Sequence, residues 1–346
     1  MKILILKPSS LGDVVQALPV LRLLRLHYPK AYIAWWIAEN LADLLREDPD
    51  IDEMFLFKRS RYTQPACWPD IIRDLHAIRS RKFDLVIDLQ SLARSGTIAW
   101  LANGGMLVGL EDRREGAHGY YDRATPRPSQ QTHAVDWYLQ VLTDLGIPIT
   151  GQFEWLPRKQ RGVEKIEKIL PENQPLILLN PGARWENKRW PTSHFAEVAA
   201  FLAGDHPAAT IAILGGKEDN SLAEEIQSQA PSVRFLNLAG KTPLVELIEW
   251  IRRGDVMISN DTGPMHIAAA VRTPVVALFG PTSELRTGPY GQLGNVLRLS
   301  LPCAPCMKPK CHWPERIACL NRITPATVAE SASRLLKSPA GKYSSR

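Results

Sequence analysis

The chain has 346 residues, 45% of them hydrophobic and 23% charged, which is globular composition and excludes collagen-like, low-complexity and disordered chains. At that length two domains, each with its own core, are expected. Lys and Arg number 42 against 36 Asp and Glu, and the formal excess of +6 falls within residues 298–346; no arginine-rich helix or zinc-finger spacing marks nucleic acid as a partner.

Ile3-Leu4-Ile5-Leu6 is the short apolar run of a buried strand, so residues 2–7 are predicted as strand and 8–12 as a turn. Val14, Val15, Leu18, Leu21 and Leu24 then recur at helical spacing, which predicts a helix over 13–27 with Asp13 near its N-cap. Strands follow at 32–37, 83–88 and 106–110, and helices at 40–47 and 91–101. Pro148, Gly151, Pro157, Pro171 and Pro175 punctuate a linker that holds one short charged helix, 160–170. Beyond it strands are predicted at 176–180, 210–214, 233–236, 255–258 and 274–278, and helices at 192–204, 218–229, 243–252 and 263–271. Continuous apolar strands alternating with helices make parallel sheets covered on both faces. The expected fold class is therefore α/β, with two Rossmann-like doubly wound parallel-sheet domains facing a cleft. Their bounds are expected at 1–155 and 172–322, with an unstructured tail, 338–346.

No stretch reaches the roughly 18 apolar residues of a membrane span, and Lys7 and Pro8 break the opening run too early for a signal-peptide core. Four of the five cysteines crowd into 303–319 and Cys67 stands alone, unlike a secreted disulfide framework. A cytoplasmic protein is expected.

In doubly wound sheets ligands bind beyond the carboxyl ends of the strands, which directs attention to the loops there. No G-x-G-x-x-G follows a strand, so a dinucleotide site is not indicated. Gly240-Lys241-Thr242 looks like the end of a phosphate loop, but Phe235 stands where that loop needs glycine. Lys7 reads as a solvated strand end. Asp13 can cap its helix or take a proton from a hydroxyl, beside Ser9, Ser10 and Gly12. The loop Asn180–Pro191 puts Arg184, Lys188 and Arg189 ahead of a helix, a pattern suited to phosphate. Glu218 lies beyond a strand, where a carboxylate can hold ribose hydroxyls or compensate a helix start. Asp261, Thr262, Gly263 and Pro264 follow a strand and open a helix whose free amides would face an anion, with His266 one turn in. Cys303, Cys306, Cys311 and Cys319 can hold a structural zinc, remain free thiols or form a redox-sensitive disulfide.

These pieces in this order resemble glycosyltransferase family 9, the ADP-heptose:lipopolysaccharide heptosyltransferases. The resemblance rests on Lys7–Asp13 (K-P-S-S-L-G-D), Asn180–Pro191 (N-P-G-A-R-W-E-N-K-R-W-P), Ser259–Ala270 (S-N-D-T-G-P-M-H-I-A-A-A), Ala277–Ser283 (A-L-F-G-P-T-S) and the Cys303–Cys319 cluster. It implies a GT-B fold, with acceptor on the first domain, nucleotide sugar on the second, and a last helix over 323–337 crossing back to the first domain. It implies an inverting transferase that needs no metal for transfer and moves heptose from ADP-heptose to a lipopolysaccharide inner-core acceptor. Another nucleotide sugar such as a UDP-sugar, used by a GT-B transferase or epimerase, is the alternative. The family's base falls on Asp13 and its cationic diphosphate contact on Lys188. Donor contacts fall on Arg184, Glu218, Asp261, Thr262, Gly263 and His266. An acceptor that is an anionic lipid A-core glycolipid would meet Ser10, Gly12 and basic residues such as Arg59, Arg61, Arg94, Arg113 and Arg114. That acceptor would place a chain without a transmembrane segment at the inner face of the cytoplasmic membrane. Where the first-heptose branch carries hydroxyl residues ahead of the lysine, this chain has Ala183 and Arg184, and its cysteine cluster looks more like the second-heptose branch.

Overall fold

Ile3, Leu4, Ile5 and Leu6 are completely buried and run through the middle of the first of two parallel sheets. The computed structural model describes residues 1–58, 60, 64–171 and 173–337. Its chain divides into two units, the second beginning at Arg158.

The first unit holds β1 (Lys2–Leu6), α1 (Leu11–His27), β2 (Tyr32–Ala38), α2 (Ala42–Leu45), β3 (Glu53–Phe57), α3 (Trp68–Ser80), β4 (Leu85–Asp88), α4 (Ala93–Leu101), β5 (Met106–Leu110), β6 (Arg123–Thr125) and α5 (Ala134–Asp144). Its strand order is β3-β2-β1-β4-β5-β6, and β1 pairs with β2 on one side and β4 on the other, with Leu6 opposite Trp36 and Asp88. The order reverses between β1 and β4, which opens a ligand crevice beyond their carboxyl ends.

The second unit holds α6 (Gln160–Glu167), β7 (Leu176–Asn180), α7 (Thr192–Asp205), β8 (Thr210–Ile213), α8 (Asn220–Gln229), β9 (Phe235–Asn237), α9 (Leu244–Arg253), β10 (Val256–Asn260), α10 (Gly263–Ala270), β11 (Val275–Phe279), α11 (Glu284–Thr287), β12 (Val296–Arg298), α12 (Ala318–Asn321) and α13 (Pro325–Lys337). Its strand order, β12-β11-β10-β7-β8-β9, repeats that of the first unit, and its switch point lies between β7 and β10, where Asn180 stands opposite Ser259.

Local sequence explains the helix that matters most for the site. Ser10 is the N-cap of α1 and Asp13 its third residue, and the Asp13 carboxylate reaches back to accept from the Ser10 amide, half of a capping box and not the single cap at Asp13 that the spacing suggested. Such a cap contributes about 1 kcal/mol. From Val14 to Leu24 every residue of α1 is buried, and α5 packs against it.

Several expected bounds shift. The helix at 40–47 is reduced to α2 after a 3-10 turn, Glu39–Leu41. The 160–170 helix does not belong to a linker: α6 packs on α9, the Lys159 amide donates to Glu249 Oε1 at 3.1 Å, and Lys165 pairs with Glu246 at 2.8 Å. The second unit therefore starts before residue 172. The last helix packs on α7, β10 and β11, burying Val328, Ala329 and Ala332 against Phe195, Leu202 and Leu278. Trp190 Nε1 also donates to Ile323 O at 3.1 Å, which holds the approach to α13 to the second unit. The 338–346 tail lies outside the described residues.

Candidate active site

At the carboxyl end of the first sheet, Asp13 Oδ2 accepts from the Ser10 amide at 2.9 Å and from Ser10 Oγ at 2.5 Å. The carboxylate is thus held by its own helix start and remains partly exposed, with Gly12 buried beside it. Lys7 is not the solvated strand end its position suggested. It is buried, donates to Leu89 O at 2.8 Å and stands 4.8 Å over the Tyr138 ring. Burial alone would lower its pKa, but Tyr138, Asp13 and Asp88 outweigh that and raise it. Burial also raises the Asp88 pKa, opposed by donors from Ser91, Tyr121 and Gln90.

The basic residues divide. Arg94 lays its guanidinium over the Phe57 ring at 4.7 Å. Arg113 pairs with Glu111, and Arg114 with Asp112 at 2.5 Å; the Arg114 charge is stabilised first by Asp112 and also by Glu115 and Asp13. Arg59 and Arg61 lie outside the described residues.

In the second unit the loops after β7, β10 and β11 meet because their strands are neighbours. Asn260 Nδ2 donates to Pro181 O at 2.7 Å and its Oδ1 accepts from the Trp190 amide at 3.1 Å, so β10 clamps both ends of the 181–190 loop. Lys188 Nζ lies 2.6 Å from Asp261 Oδ2 and 4.9 Å over the Trp185 ring. Thr282 Oγ1 donates to the same Asp261 oxygen at 2.6 Å. Thr262 caps α10 in extended conformation without a side-chain cap bond, and Gly263 and Pro264 open the helix, which leaves a short run of amides facing outward. His266 is buried one turn in. Arg184 is exposed.

Glu218 is exposed and folds back over Gly216, where an added Cβ would lie 2.5 Å from its carboxylate oxygens. Its neighbour Asp219, which the sequence reading passed over, is buried: Gly216 N donates to it at 2.9 Å, and a Cβ on Gly182 would lie 2.4 Å from its Oδ2. Burial raises the Asp219 pKa. A cavity of about 300 Å³ opens between Gly215–Lys217 and Gly240–Pro243, beyond β8 and β9. Gly240-Lys241-Thr242 thus lines a ligand-sized cavity although it is not a phosphate loop. Its glycine adopts φ +67°, where a side chain would be strained, and lies against Lys217.

The thiols of Cys303, Cys306, Cys311 and Cys319 are free, and burial with the neighbouring Cys303, Cys311 and Cys306 pushes the Cys319 thiol up to about 11. Among the described residues no group of three or more His, Cys, Asp or Glu side chains is placed to hold a metal ion. The segment braces the loops after β11 and β7: the Met307 amide donates to Pro281 O at 2.7 Å, and Asn187 Nδ2 to Lys308 O at 2.9 Å.

One unit thus presents a carboxylate at its switch point. The other presents a fixed ammonium and a helix start, which together suit an anion. Among the described residues no helix is long and apolar enough to cross a membrane.

The family model described as glycosyltransferase family 9 (heptosyltransferase) matches residues 71–316. Lipooligosaccharide heptosyltransferase 2 of Campylobacter jejuni is 30% identical over 342 residues, covering 97% of this chain and 99% of that protein. Lipopolysaccharide heptosyltransferase 2 of Escherichia coli K12 is 29% identical, covering 86% and 88%. Among solved structures, a family 9 glycosyl transferase from Veillonella parvula superposes with a TM-score of 0.81 at 25% identity, covering 97% of each chain. The structure described as ADP-heptose lipopolysaccharide heptosyltransferase II of E. coli gives 0.76 at 26%, covering 97% and 98%. Two Rossmann-like units in one chain are the GT-B arrangement of these transferases, and the chain belongs to glycosyltransferase family 9, the heptosyltransferases.

Proposed function

We propose that this glycosyltransferase moves heptose from ADP-heptose to an acceptor in the lipopolysaccharide inner core, inverting the anomeric carbon without a metal in the transfer step. Asp13 takes the proton of the acceptor hydroxyl. The freed oxygen attacks the anomeric carbon on the face opposite the diphosphate, a new C–O bond forms, and ADP leaves with the electrons of the broken bond. Base catalysis of this kind contributes ~10²–10⁴ in rate.

Lys188, with Arg184 and the amides opening α10 around Thr262 and Gly263, offsets the charge that grows on the leaving diphosphate. One such donor is worth roughly 3–4 kcal/mol. Glu218 and the cavity beside it serve the nucleoside, and His266 faces the donor from α10. Ser10, Gly12 and Arg94 border the acceptor. Ser10 orients the base through its two bonds to one Asp13 oxygen.

The observation that carries this reading is the ammonium of Lys188, fixed 2.6 Å from Asp261 at a switch point where α10 also begins. The relatives' names support heptose as the sugar, since they are heptosyltransferases of lipopolysaccharide or lipooligosaccharide, and one similar structure is described as an ADP-heptose lipopolysaccharide heptosyltransferase. A lipid-anchored acceptor places the enzyme in the cytoplasm, peripheral to the inner face of the membrane. Trp68 and Ile72, one turn apart on α3 and 60% and 66% exposed, support that placement.

The deciding experiment incubates the enzyme with ADP-heptose and truncated lipopolysaccharide cores and weighs the product. A gain of one heptosyl unit with release of ADP is expected. Transfer from a UDP-sugar, with none from ADP-heptose, would replace this reading.

A further inference from the structure

The motif A-L-F-G-P-T-S contains a residue that neither the sequence nor the proposed chemistry assigns. Thr282 is buried and donates to Asp261 Oδ2 at 2.6 Å, the same oxygen that receives Lys188 at 2.6 Å. Asp261 is 6% exposed and the Lys188 side chain 18%, so this is a largely enclosed group of three. Its members come from the loops after β11, β10 and β7, adjacent strands whose carboxyl ends lie side by side.

A carboxylate in contact with a lysine ammonium is a poor direct contact for a diphosphate, because like charges repel. Its use is to fix the ammonium. A lysine side chain has four rotatable bonds, and ordering it only when the ligand arrives costs binding free energy. Here the ordering is done beforehand: Trp185 lies under the ammonium, Asp261 holds it, and Thr282 holds Asp261. The Thr282 loop is fixed in turn, since Pro281 O accepts from Met307 N at 2.7 Å and a Cβ on Gly280 would lie 2.9 Å from Cys319 Sγ.

The geometry points to Thr282 as a positioning residue for the donor diphosphate, acting through Asp261 to aim Lys188. Resting as it does on Lys188 as the diphosphate contact, the assignment needs a test that separates the two claims.

ADP affinity is measured by calorimetry, and donor and acceptor KM by steady-state kinetics, for the full chain carrying Thr282→Val, Thr282→Ala, Thr282→Ser and Lys188→Ala, and for the Thr282→Val/Lys188→Ala pair. Thr282→Val is expected to weaken ADP about tenfold and to raise donor KM while leaving acceptor KM unchanged. Thr282→Ser restores both, and Thr282→Ala serves if the valine variant does not fold. In the Lys188→Ala background, Thr282→Val adds no further loss of ADP affinity, whereas a purely structural role would add its own.

If Lys188→Ala weakens ADP but Thr282→Val and Thr282→Ala bind it like the wild type, this inference is overturned and the diphosphate assignment stands. Full additivity in the double variant would also overturn it. If Lys188→Ala leaves ADP affinity unchanged, the underlying reading fails as well.

Discussion

Asp13 and Lys188 are each restrained before any substrate arrives, and the restraint sets what their replacement does. Asp13→Asn keeps an oxygen to accept from Ser10 and removes the basic carboxylate. Calorimetry with ADP is expected to change little, while kcat falls by ~10²–10⁴; turnover near the wild-type rate would remove Asp13 as base. Lys188→Ala has two effects. It withdraws the cation from the diphosphate, weakening ADP binding tenfold or more, and it leaves the buried Asp261 with Thr282 but without its counter-ion. A lower melting temperature is therefore expected alongside the loss in affinity. Unchanged melting would mean that Asp261 does not need the lysine.

Among the elements, the loops after β7 and β8 are interlocked through one glycine. Gly182 leaves room for the Asp219 carboxylate, which is itself tied to the Gly216 amide. Gly182→Ala drives a methyl into that short side chain, and overpacking of this kind costs about 1–3 kcal/mol. Displacing Asp219 also moves Gly216 and Glu218 beside the cavity, so chemical denaturation and ADP titration are both expected to register the change. If stability falls while ADP affinity is kept, the cavity is not part of the nucleoside site. The sequence motif N-P-G is legible as a loop but not as the partner of Asp219, because the two residues lie on different strand ends and only the pairing of β7 with β8 makes them neighbours.

For the whole molecule, one lock in the first unit is ionic. Arg22, in the middle of α1, is buried with Asp48 at 2.5 Å, reaches Asp50 at 2.6 Å and donates to Trp155 O at 2.9 Å. One side chain thus holds α1, the turn before β3 and the chain segment that leads into the second unit. Arg22→Met strands a buried carboxylate, which costs about 3–5 kcal/mol. Urea unfolding is expected to show that loss, and limited proteolysis to cut faster near Trp155. Resistance equal to the wild type would show that the segment is held by other contacts.

What the sequence by itself determined was the rhythm: buried strands alternating with helices, two doubly wound units, and motifs that place Asp13, Lys188 and Asp261 in loops beyond the carboxyl ends of strands. Those features depend on local periodicity and on residues close in the chain, and they are visible without coordinates. It did not reveal β3, β6 or β12: β6 and β12 are three-residue strands without an apolar run, and β3, although it carries Met54-Phe55-Leu56-Phe57, is only partly buried. It misjudged Lys7, since nothing near position 7 shows that Leu89 and Tyr138 enclose it. It also passed over Thr282 and Asp219. Only tertiary structure decided those, because each acts on a partner brought from a distant loop by the order of the strands, and strand order is set by packing of the whole unit.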